Sequence, residues 1–526
     1  MQHTSSSPAC ERYYITTSIP YVNARPHIGH ALEYVQADTL ARYRRQRGQA
    51  VWFLTGTDEN SLKNVRAAER EGLATRTLVD RNAAYFYALH GALDLSFDDF
   101  IRTSADARHA PGVHKLWLAC AQRGDIYRRT YRGLYCVGCE QFYAENDLDG
   151  GLCPEHLTPP EPIEEENYFF RLSRYAGQLH ELIASDRLRI TPAARKNEAL
   201  AFIRGGLEDF SISRSHARAR GWGVAVPGDP GQVTYVWFDA LSNYITALGY
   251  ACAGERYRDF WQSGLRRVHV IGKNILRFHA IYWPAMLLSA GEPLPSDILV
   301  HGFVTANGRK ISKSLGNAVD PSDLAARYGA DALRYYLLRE IPPAVGGDFS
   351  LERLARAYNA DLADSLGNLL SRTIGMLTRY YGGQVPAPAV PDPAGEPLRA
   401  VGHQLADRVD AALERFAFDA ALAAIWELIA AANRYVSEAR PWALARLRAE
   451  PAAEAQLATT LYTLADALWL AARALAPFLP GTAAAIAHQL GLEPAAAEQP
   501  GAAPGWGRYP AGTAARPGGI LFPKLG

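Results

Sequence analysis

A short motif between a strand and a helix constrains the fold of this chain more than any other feature. The motif, Pro26-His27-Ile28-Gly29-His30, follows an alternating run that predicts a strand over Arg12 to Ile19. After it, apolar residues at helical spacing predict a helix over Ala31 to Arg47, and Val51 to Thr55 has the pattern of a buried strand. Strand, helix and strand in this order form a βαβ unit, which predicts a parallel sheet.

The residue types of this motif indicate a ligand. His27, Gly29 and His30 lie at the predicted start of the helix, where backbone N–H groups and the helix dipole favour the phosphates of a nucleotide. A second motif, Lys310-Ile311-Ser312-Lys313-Ser314, has two ammonium groups among hydroxyls and near glycines, as a mobile clamp on a triphosphate requires. Alone, the second motif is equally typical of a solvated loop. Together, the two motifs indicate adenylate-forming chemistry.

A second series of strands and helices predicts the rest of the sheet. Its elements are a strand over Val233 to Asp239, a helix to Leu248, a strand over Val268 to Ile271, a helix from Ile275 to Ser289 and a strand over Ile298 to Val300. A region rich in cysteine and aromatic residues separates this series from the first. We therefore expect one nucleotide-binding sheet that is split by an insertion.

Four ligand-type residues cluster within the insertion as Cys136-x-x-Cys139 and Cys153-x-x-His156. Two tight turns that each present two ligands can close a tetrahedron around Zn²⁺. The alternative is a set of unconnected reduced thiols. A structural zinc site is favoured over a catalytic one, because protein side chains fill all four positions.

Beyond Phe349 the chain becomes rich in Ala, Leu and Arg and predicts a bundle of helices. The predicted helical runs are Leu351 to Tyr381, Leu398 to Arg415, Ala417 to Glu438 and Ala455 to Ala476. The fold class expected from the whole chain is α/β, with a Rossmann-type parallel sheet split by a zinc-binding insertion and followed by an all-α bundle.

Composition and charge exclude some classes of protein. The 526 residues have a net charge of +1, so no global field attracts nucleic acid and any RNA contact depends on local patches. The N-terminus lacks the apolar core of a signal peptide, and the longest apolar stretch is interrupted by Asp466 and Arg473. We expect a cytoplasmic protein without a membrane-spanning segment.

With these motifs in this order, the chain resembles the class I aminoacyl-tRNA synthetases, and among them the methionyl-tRNA synthetases of the bacterial one-zinc type. The resemblance covers nearly the whole chain and includes further segments: Phe53-Leu54-Thr55-Gly56-Thr57-Asp58-Glu59, Glu166-Asn167-Tyr168-Phe169-Phe170, Tyr235-Val236-Trp237-Phe238-Asp239-Ala240, Ile271-Gly272-Lys273 and Phe278-His279. It implies ATP-dependent activation of L-methionine to methionyl-adenylate and transfer to tRNA(Met), with release of AMP and diphosphate. It also implies one structural Zn²⁺, and Mg²⁺ that accompanies ATP.

The resemblance assigns roles to residues at matching positions. The catalytic set is His27, His30, Lys310 and Lys313. The ATP-binding set contains the same four residues and Gly29, which leaves a gap for the adenosine. The methionine-binding set is Ile19, Tyr21, Asp58, Trp237, Ala240, Leu241, Tyr244, Ile275 and His279, with Asp58 as the carboxylate that holds the ammonium. The anticodon-binding set is Asn368, Arg372 and Trp442, and the metal ligands are Cys136, Cys139, Cys153 and His156. Without the family context, the aromatic residues of the methionine set are more typical of plain core.

The same resemblance predicts a domain organisation. The expected domains are 1–123, the first half of the Rossmann catalytic domain; 124–230, the insertion with the zinc knuckle; 231–300, the second half of the catalytic domain; 301–350, a linker domain with the second motif; and 351–526, the helical anticodon-binding domain with a C-terminal tail. The chain ends without the oligonucleotide-binding module that some members append, so we expect a monomer.

Four positions depart from the family pattern. Asn60-Ser61 replaces a usual His-Gly, Asn274 replaces a usual Asp, and Ala24 replaces a usual Gly. These changes leave open a second-copy or specialised synthetase. Two other functions also remain open: a ligase derived from a synthetase that acts on a small-molecule acceptor, and a catalytically silent tRNA-binding protein.

Overall fold

The structure is a computed structural model that describes residues 11–143, 145–154, 157–264, 266–306, 308–310, 319–500 and 505–526. Two predicted site residues, His156 and Lys313, lie outside the described residues, and Lys310 is described in its backbone only. The chain forms two compact units. The first unit comprises residues up to 33, 50–90 and 97–301, and the second comprises residues 34–49, 91–96 and 302–526.

Numbered in chain order, the strands in the described residues are β1 (Arg12–Thr17), β2 (Ala50–Thr57), β3 (Asp99–Arg102), β4 (Ile126–Cys136), β5 (Gln141–Tyr143), β6 (Glu161–Phe170), β7 (Arg189–Thr191), β8 (Phe210–Ser211), β9 (Ser213–Ser215), β10 (Ala225–Val226), β11 (Asp229–Thr234), β12 (Arg266–Gly272), β13 (Asp297–His301), β14 (Val304–Ala306), β15 (Arg309–Lys310) and β16 (Gly347–Phe349).

The α-helices, numbered in the same way, are α1 (Ile28–Gln46), α2 (Leu62–Arg70), α3 (Thr75–Ala92), α4 (His109–Gln122), α5 (Ala176–Ala184), α6 (Ala193–Arg204), α7 (Val236–Leu241), α8 (Asn243–Thr246), α9 (Trp283–Ala290), α10 (Pro321–Tyr328), α11 (Ala330–Glu340), α12 (Leu351–Ala357), α13 (Asn368–Tyr381), α14 (Glu396–Leu413), α15 (Phe418–Ala439), α16 (Pro441–Arg446), α17 (Pro451–Leu475) and α18 (Pro480–Gln489).

The first unit is built on a parallel sheet with the strand order β3-β2-β1-β12-β13-β7. Fully buried apolar side chains meet in register across its centre, as Ile15 of β1 lies between Phe53 of β2 and Val268 of β12. The chain runs from β1 towards β3 on one side and later adds β12 and β13 on the other. The strand order therefore reverses between β1 and β12, and open α/β sheets bind ligands at the carboxyl ends of such strands.

The predicted βαβ unit is confirmed, since β1, α1 and β2 follow one another and the two strands pair in parallel. The predicted α/β fold class with a helical C-terminal region is also confirmed. The edge strand β7 joins the parallel sheet through β13, although it falls within the range 124–230 that the sequence assigns to the insertion. The remaining strands between β4 and β11 form two small antiparallel sheets, β5-β4-β6-β8 and β10-β11-β9.

The predicted strand over Val233 to Asp239 is wrong. Strand β11 ends at Thr234 and lies in a small antiparallel sheet, and the next residues form helix α7. The aromatic and β-branched residues of this run favour a strand by propensity, but tertiary packing overrides it. Trp237 stacks on Phe278, and Phe238 packs against another buried aromatic ring in the same unit.

The second unit contains the small sheet β15-β14-β16 and the helices α10 to α18. The predicted bundle is confirmed, with α14, α15 and α17 close to the predicted ranges. A buried Arg334 joins distant parts of this unit. Its guanidinium pairs with Asp38 at 2.8 Å and donates to the backbone carbonyls of Phe478 and Pro477. A buried ion pair of this kind is satisfied because hydrogen bonds use its remaining N–H groups.

Candidate active site and metal centre

The two histidines of the first motif lie side by side at the start of α1. His27 immediately precedes the helix and His30 lies in its first turn, and the ring centroids are 3.9 Å apart. Burial lowers the pKa of His27 to about 4 and lowers the pKa of His30 well below its ordinary value. Both imidazoles are therefore neutral at physiological pH.

Backbone contacts define which ring nitrogen carries the proton. The N–H of Gly29 donates to Nδ1 of His27 at 3.1 Å, and the N–H of His27 donates to Nδ1 of His30 at 3.1 Å. A neutral imidazole that accepts at Nδ1 carries its proton on Nε2. The two rings therefore present two Nε2–H donors next to a helix N-terminus, which is a suitable arrangement for an anionic ligand.

Gly29 allows this arrangement by lacking a side chain. A Cβ at position 29 would lie 3.0 Å from Cε1 and 3.1 Å from Nδ1 of the His27 ring. The imidazole folds back over the glycine, so a larger residue would push His27 out of place. This reason for the glycine differs from the predicted gap for an adenosine, which stays a prediction.

Glu33 ties the motif to the sheet, and sequence reasoning missed it. One turn after His30, its Oε1 accepts from the N–H and the hydroxyl of Ser18 at 2.7 and 2.6 Å, and its Oε2 lies 3.0 Å from Nε2 of His301. Ser18 follows β1 and His301 ends β13. Glu33 thus connects two strand ends on either side of β12. In the sequence, only the spacing His30-x-x-Glu33 places this carboxylate one helical turn after the motif.

Asp58 is a buried carboxylate with an unused oxygen. It follows β2 and forms a parallel bridge with Tyr21, which follows β1. Within the described part of the chain, no group donates a hydrogen bond to Oδ1 of Asp58, although the residue is buried. Burial, followed by the charges of Asp239 and Glu140, raises the pKa of Asp58 well above its ordinary value. Without a cation nearby, this burial favours the protonated carboxyl, and a bound cation would stabilise the carboxylate.

Aromatic rings from three segments pack together, and one of them belongs to Tyr21, the bridge partner of Asp58. The ring of Tyr21 lies edge-on to Trp237 at 6.4 Å between centroids, and Trp237 stacks on Phe278 at 3.6 Å and 7°. Phe278 was not singled out as a site residue by the sequence. Ile19 is partly buried and packs against the same core, and Ala240 and Leu241 are buried on the helix that carries Trp237.

Tyr244, Ile275 and His279 form a second group with fixed hydrogen bonds. Nδ1 of His279 lies 2.9 Å from the carbonyl oxygen of Ile275 and therefore donates to it. Nε2 of His279 then accepts from the hydroxyl of Tyr244 at 2.7 Å. Burial lowers the pKa of His279 to about 4, so this group is neutral. Six of the predicted methionine residues belong to one hydrophobic core or pack against it: Ile19, Tyr21, Trp237, Leu241, Tyr244 and Ile275.

Asn60, the first departure from the family pattern, takes part in a buried network. Its Nδ2 donates to Oδ2 of Asp239 at 2.9 Å, and Oδ1 of Asp239 accepts from Nε2 of His109 at 2.8 Å. The other ring nitrogen of His109 contacts Thr246. The second departure, Asn274, is exposed and folds over Gly272, where a Cβ would lie 3.0 Å from its Oδ1.

Three of the four predicted metal ligands converge. The Sγ atoms of Cys136, Cys139 and Cys153 all lie within 4.8 Å of one another, and those of Cys139 and Cys153 are 3.4 Å apart. A tetrahedral Zn²⁺ with Zn–S bonds of about 2.3 Å separates its sulfurs by about 3.8 Å. Burial raises the pKa of the Cys136 and Cys139 thiols. A bound cation would stabilise the thiolates, so this group could hold a metal.

The predicted anticodon residues lie on exposed parts of the second unit. Asn368 and Arg372 occupy the first turns of α13, and Arg372 donates to Oδ1 of Asn433 on α15 at 2.6 Å. Trp442 lies in the first turn of α16 with 42% of its surface exposed. Asn433 was not among the predicted site residues, because its contact with Arg372 joins positions 61 residues apart.

Within the described residues, no helix combines the length and hydropathy needed to cross a membrane. The family described as tRNA synthetases class I (M) matches residues 13–159 and 156–374 of the chain. The chain is 42% identical over 514 residues to the methionine–tRNA ligase of Caldanaerobacter subterraneus subsp. tengcongensis, which covers 98% of this chain and 79% of that protein. It is 43% identical over 484 residues to the methionine–tRNA ligase of Brucella suis biovar 1, with 90% of each chain covered.

Solved structures give the same result. The Mycobacterium tuberculosis methionyl-tRNA synthetase in complex with methionyl-adenylate matches with a TM-score of 0.92 and 41% identity, covering 98% of this chain and 100% of that chain. The apo form of the same synthetase matches with a TM-score of 0.85 and 39% identity. The predicted resemblance is confirmed: the chain belongs to the methionine–tRNA ligases, a family of class I tRNA synthetases.

Proposed function

We propose that this methionine–tRNA ligase activates L-methionine with MgATP at the carboxyl ends of β1, β2 and β12 and transfers it to tRNA(Met). One observation carries the assignment of the site, namely the unpaired Oδ1 of the buried Asp58. An amino acid's ammonium would supply a cation for this oxygen. Asp58 forms a backbone bridge with Tyr21, whose ring lies edge-on to that of Trp237.

The aromatic walls suit the side chain of methionine. A thioether is apolar and polarizable, and it packs favourably against ring edges and faces. The hydroxyl of Tyr244 and both ring nitrogens of His279 are used in hydrogen bonds with each other and with the carbonyl of Ile275. These residues therefore offer no free charge that would favour a polar amino acid. Specificity in such a pocket depends on shape and on the cost of leaving polar groups unpaired.

Activation requires the methionine carboxylate to attack the α-phosphate of ATP, with diphosphate as the leaving group. Catalysis by this chain consists of positioning and charge stabilisation, because no covalent enzyme intermediate is needed. We assign the Nε2–H groups of His27 and His30 as donors to phosphate oxygens. Lys310 and Lys313 are proposed as the cations that neutralise the β- and γ-phosphates.

The cysteine cluster is proposed as a structural zinc site. Cys136, Cys139 and Cys153 would hold the ion, with His156 as the fourth ligand by its position in the sequence. Zinc would supply a crosslink that joins the end of β4 to the turn at Cys153. With all three sulfurs used as ligands, the ion would have a structural role.

The exposed residues of the second unit are proposed to contact tRNA(Met). Asn368, Arg372 and Trp442 can read unpaired bases by hydrogen bonding and stacking. We also propose the five domains predicted from the sequence, with boundaries at 123, 230, 300 and 350.

A panel experiment tests the proposed function. ATP–diphosphate exchange is measured with each of the twenty amino acids, and aminoacylation is measured with tRNA(Met) and with a non-cognate tRNA. We expect exchange with L-methionine alone and charging of tRNA(Met) alone. Exchange with another amino acid, or charging of a small-molecule acceptor in place of tRNA, would contradict the proposal.

A further inference from the structure

Glu140 follows the metal-binding turn directly and has an unusual backbone. Its φ is 51°, in the left-handed region that few residues other than glycine adopt, and it is fully buried. It comes next after Cys139, so the course of the chain at Glu140 depends on the turn between Cys136 and Cys139. The strained conformation points the carbonyl and the side chain of Glu140 towards different segments of the first unit.

The carbonyl of Glu140 contacts the segment that carries Trp237. Its oxygen accepts from Nε1 of Trp237 at 3.2 Å and from the hydroxyl of Tyr235. Both acceptor positions of this oxygen are therefore used. One face of the Trp237 indole stacks on Phe278, and the indole N–H donates to the carbonyl of Glu140. The orientation of the indole therefore depends on this carbonyl.

The carboxylate of Glu140 contacts the segment that carries Asp58. Its Oε1 accepts from the backbone N–H of Lys63 at 2.9 Å, in the first turn of α2. A carboxylate at a helix N-terminus stabilises that end of the helix. The Nζ of Lys63 donates to the carbonyl of Gly138 at 3.1 Å and lies 5.3 Å from the centre of the Tyr21 ring.

The other carboxylate oxygen completes the arrangement. Oε2 of Glu140 accepts from Nη2 of Arg214 at 2.8 Å and from the hydroxyl of Tyr135. The exposed fractions of the Arg214 and Glu140 side chains are 4% and 0%, so the ion pair is dry and its geometry is restricted. One residue therefore joins the metal-binding turn to both walls of the proposed methionine pocket.

We propose that Glu140 is a positioning residue that makes methionine affinity depend on the folded metal-binding turn. The inference rests on the proposed function. The carbonyl of Glu140 orients Trp237 and its carboxylate holds the start of α2, which follows Asp58. Loss of the carboxylate, or loss of the metal that shapes the turn, weakens binding of methionine and leaves binding of ATP unchanged.

The test compares Glu140→Gln with Glu164→Gln. Glu164 is a matched control, because it lies at an exposed position of β6 and forms an ion pair with Arg132. Glutamine cannot accept from both Lys63 and Arg214, because one of its two terminal atoms is a donor. Binding of L-methionine is measured by calorimetric titration, and the KM values for methionine and ATP are measured by diphosphate exchange. For Glu140→Gln we expect the methionine Kd and KM to rise about tenfold, with the ATP KM and the control variant within about twofold.

A purely structural role predicts a different pattern. Partial unfolding would lower kcat through the number of active sites and would leave the methionine KM unchanged. That pattern, or an equal rise of the ATP KM, would overturn the inference.

Metal removal provides a second measurement on the unmodified chain, which decides the question if Glu140→Gln fails to fold. The metal content is lowered in steps with a chelator and determined by mass spectrometry, and the methionine Kd is titrated at each step. A rise of the Kd with metal loss supports the inference, and a constant Kd overturns it. Absence of methionine-dependent exchange in the unmodified chain would instead contradict the proposed function.

Discussion

The side-chain amide of Asn60 donates to Oδ2 of Asp239 at 2.9 Å, and this contact explains how the chain tolerates its departure from the family pattern. The usual histidine at this position also offers an N–H donor. His109 supplies the second donor to Asp239 at 2.8 Å, so the buried carboxylate is satisfied on both oxygens. The change at position 60 therefore keeps the hydrogen bond while it replaces the ring.

We predict that Asn60→His leaves methionine-dependent exchange within about twofold of the parent chain, because the donor to Asp239 is retained. Asn60→Asp provides the contrast, since it places a second carboxylate against Asp239 in a buried site. It should cost about 3 kcal/mol of stability. Exchange kinetics and thermal unfolding check both variants. A large loss of activity in Asn60→His would instead indicate a specialised site.

Removal of the ionisable carboxyl of Asp58 should raise the stability of the fold. Its raised pKa means that the folded state keeps this proton at pH values where the unfolded chain has released it. The carboxyl therefore lowers stability as the pH rises from its ordinary value to the raised one, and the loss persists above that range. We predict that Asp58→Asn raises stability by about 1 kcal/mol at pH 8, with a smaller gain at pH 5.

Calorimetric melting at both pH values measures this effect. Asp407→Asn, on an exposed helix position, is the matched control and should change the melting temperature at neither pH. A lower melting temperature for Asp58→Asn at pH 8 would show that another group already balances the charge.

His27 should act through Nε2. Glutamine places its amide N–H near the position of Nε2, whereas asparagine places it near Nδ1, which here accepts from the backbone. We predict that His27→Gln retains most of the activation rate and that His27→Asn loses about a hundredfold, as expected for loss of one preorganised donor. Single-turnover formation of methionyl-adenylate measures both rates.

The lowered pKa of His27 also predicts how the activation rate depends on pH. Because the pKa of His27 is lowered to about 4, its ionisation should not appear in the activation rate between pH 6 and 9. A rate limb near pH 6.5 that disappears in His27→Gln would contradict the neutral donor role.

Trp442 should contribute to the binding of tRNA(Met) and not to the activation of methionine. Stacking on an unpaired base contributes about 1–3 kcal/mol, so Trp442→Ala should raise the KM for tRNA(Met) about tenfold. Leu447→Ala changes a similarly exposed residue just beyond the same helix and is the control. Aminoacylation and tRNA-independent exchange are measured in parallel. Equal losses in both reactions would assign Trp442 to folding.

The sequence predicted the parts of the fold that depend on local pattern. Strand β1, helix α1 and strand β2 follow from hydrophobic periodicity, and the cluster of Cys136, Cys139 and Cys153 follows from the spacing of these residues. The run Val233 to Asp239 was predicted as a strand from its propensity, but packing of Trp237 and Phe238 makes its second half part of a helix.

The hydrogen-bonding partners could not be read from the sequence. Glu33 and His301 are 268 residues apart, and His109 and Asp239 are 130 residues apart. The first pair depends on the strand order of the sheet, which places the ends of β1 and β13 on either side of β12, and the second joins helices α4 and α7. Glu140 carried no signal beyond its position after Cys139, because its importance depends on the backbone turn and on contacts with distant segments.

Binding of L-methioninol tests the central claim most directly. This ligand keeps the ammonium and the thioether of methionine but lacks the carboxylate, so it separates binding at Asp58 from the chemistry on ATP. We predict measurable binding to the parent chain in calorimetric titration and a loss of about a hundredfold in Asp58→Asn, while an analogue without the amino group binds neither form. Equal binding of L-methioninol to both proteins would contradict the assignment of Asp58 as the ammonium anchor.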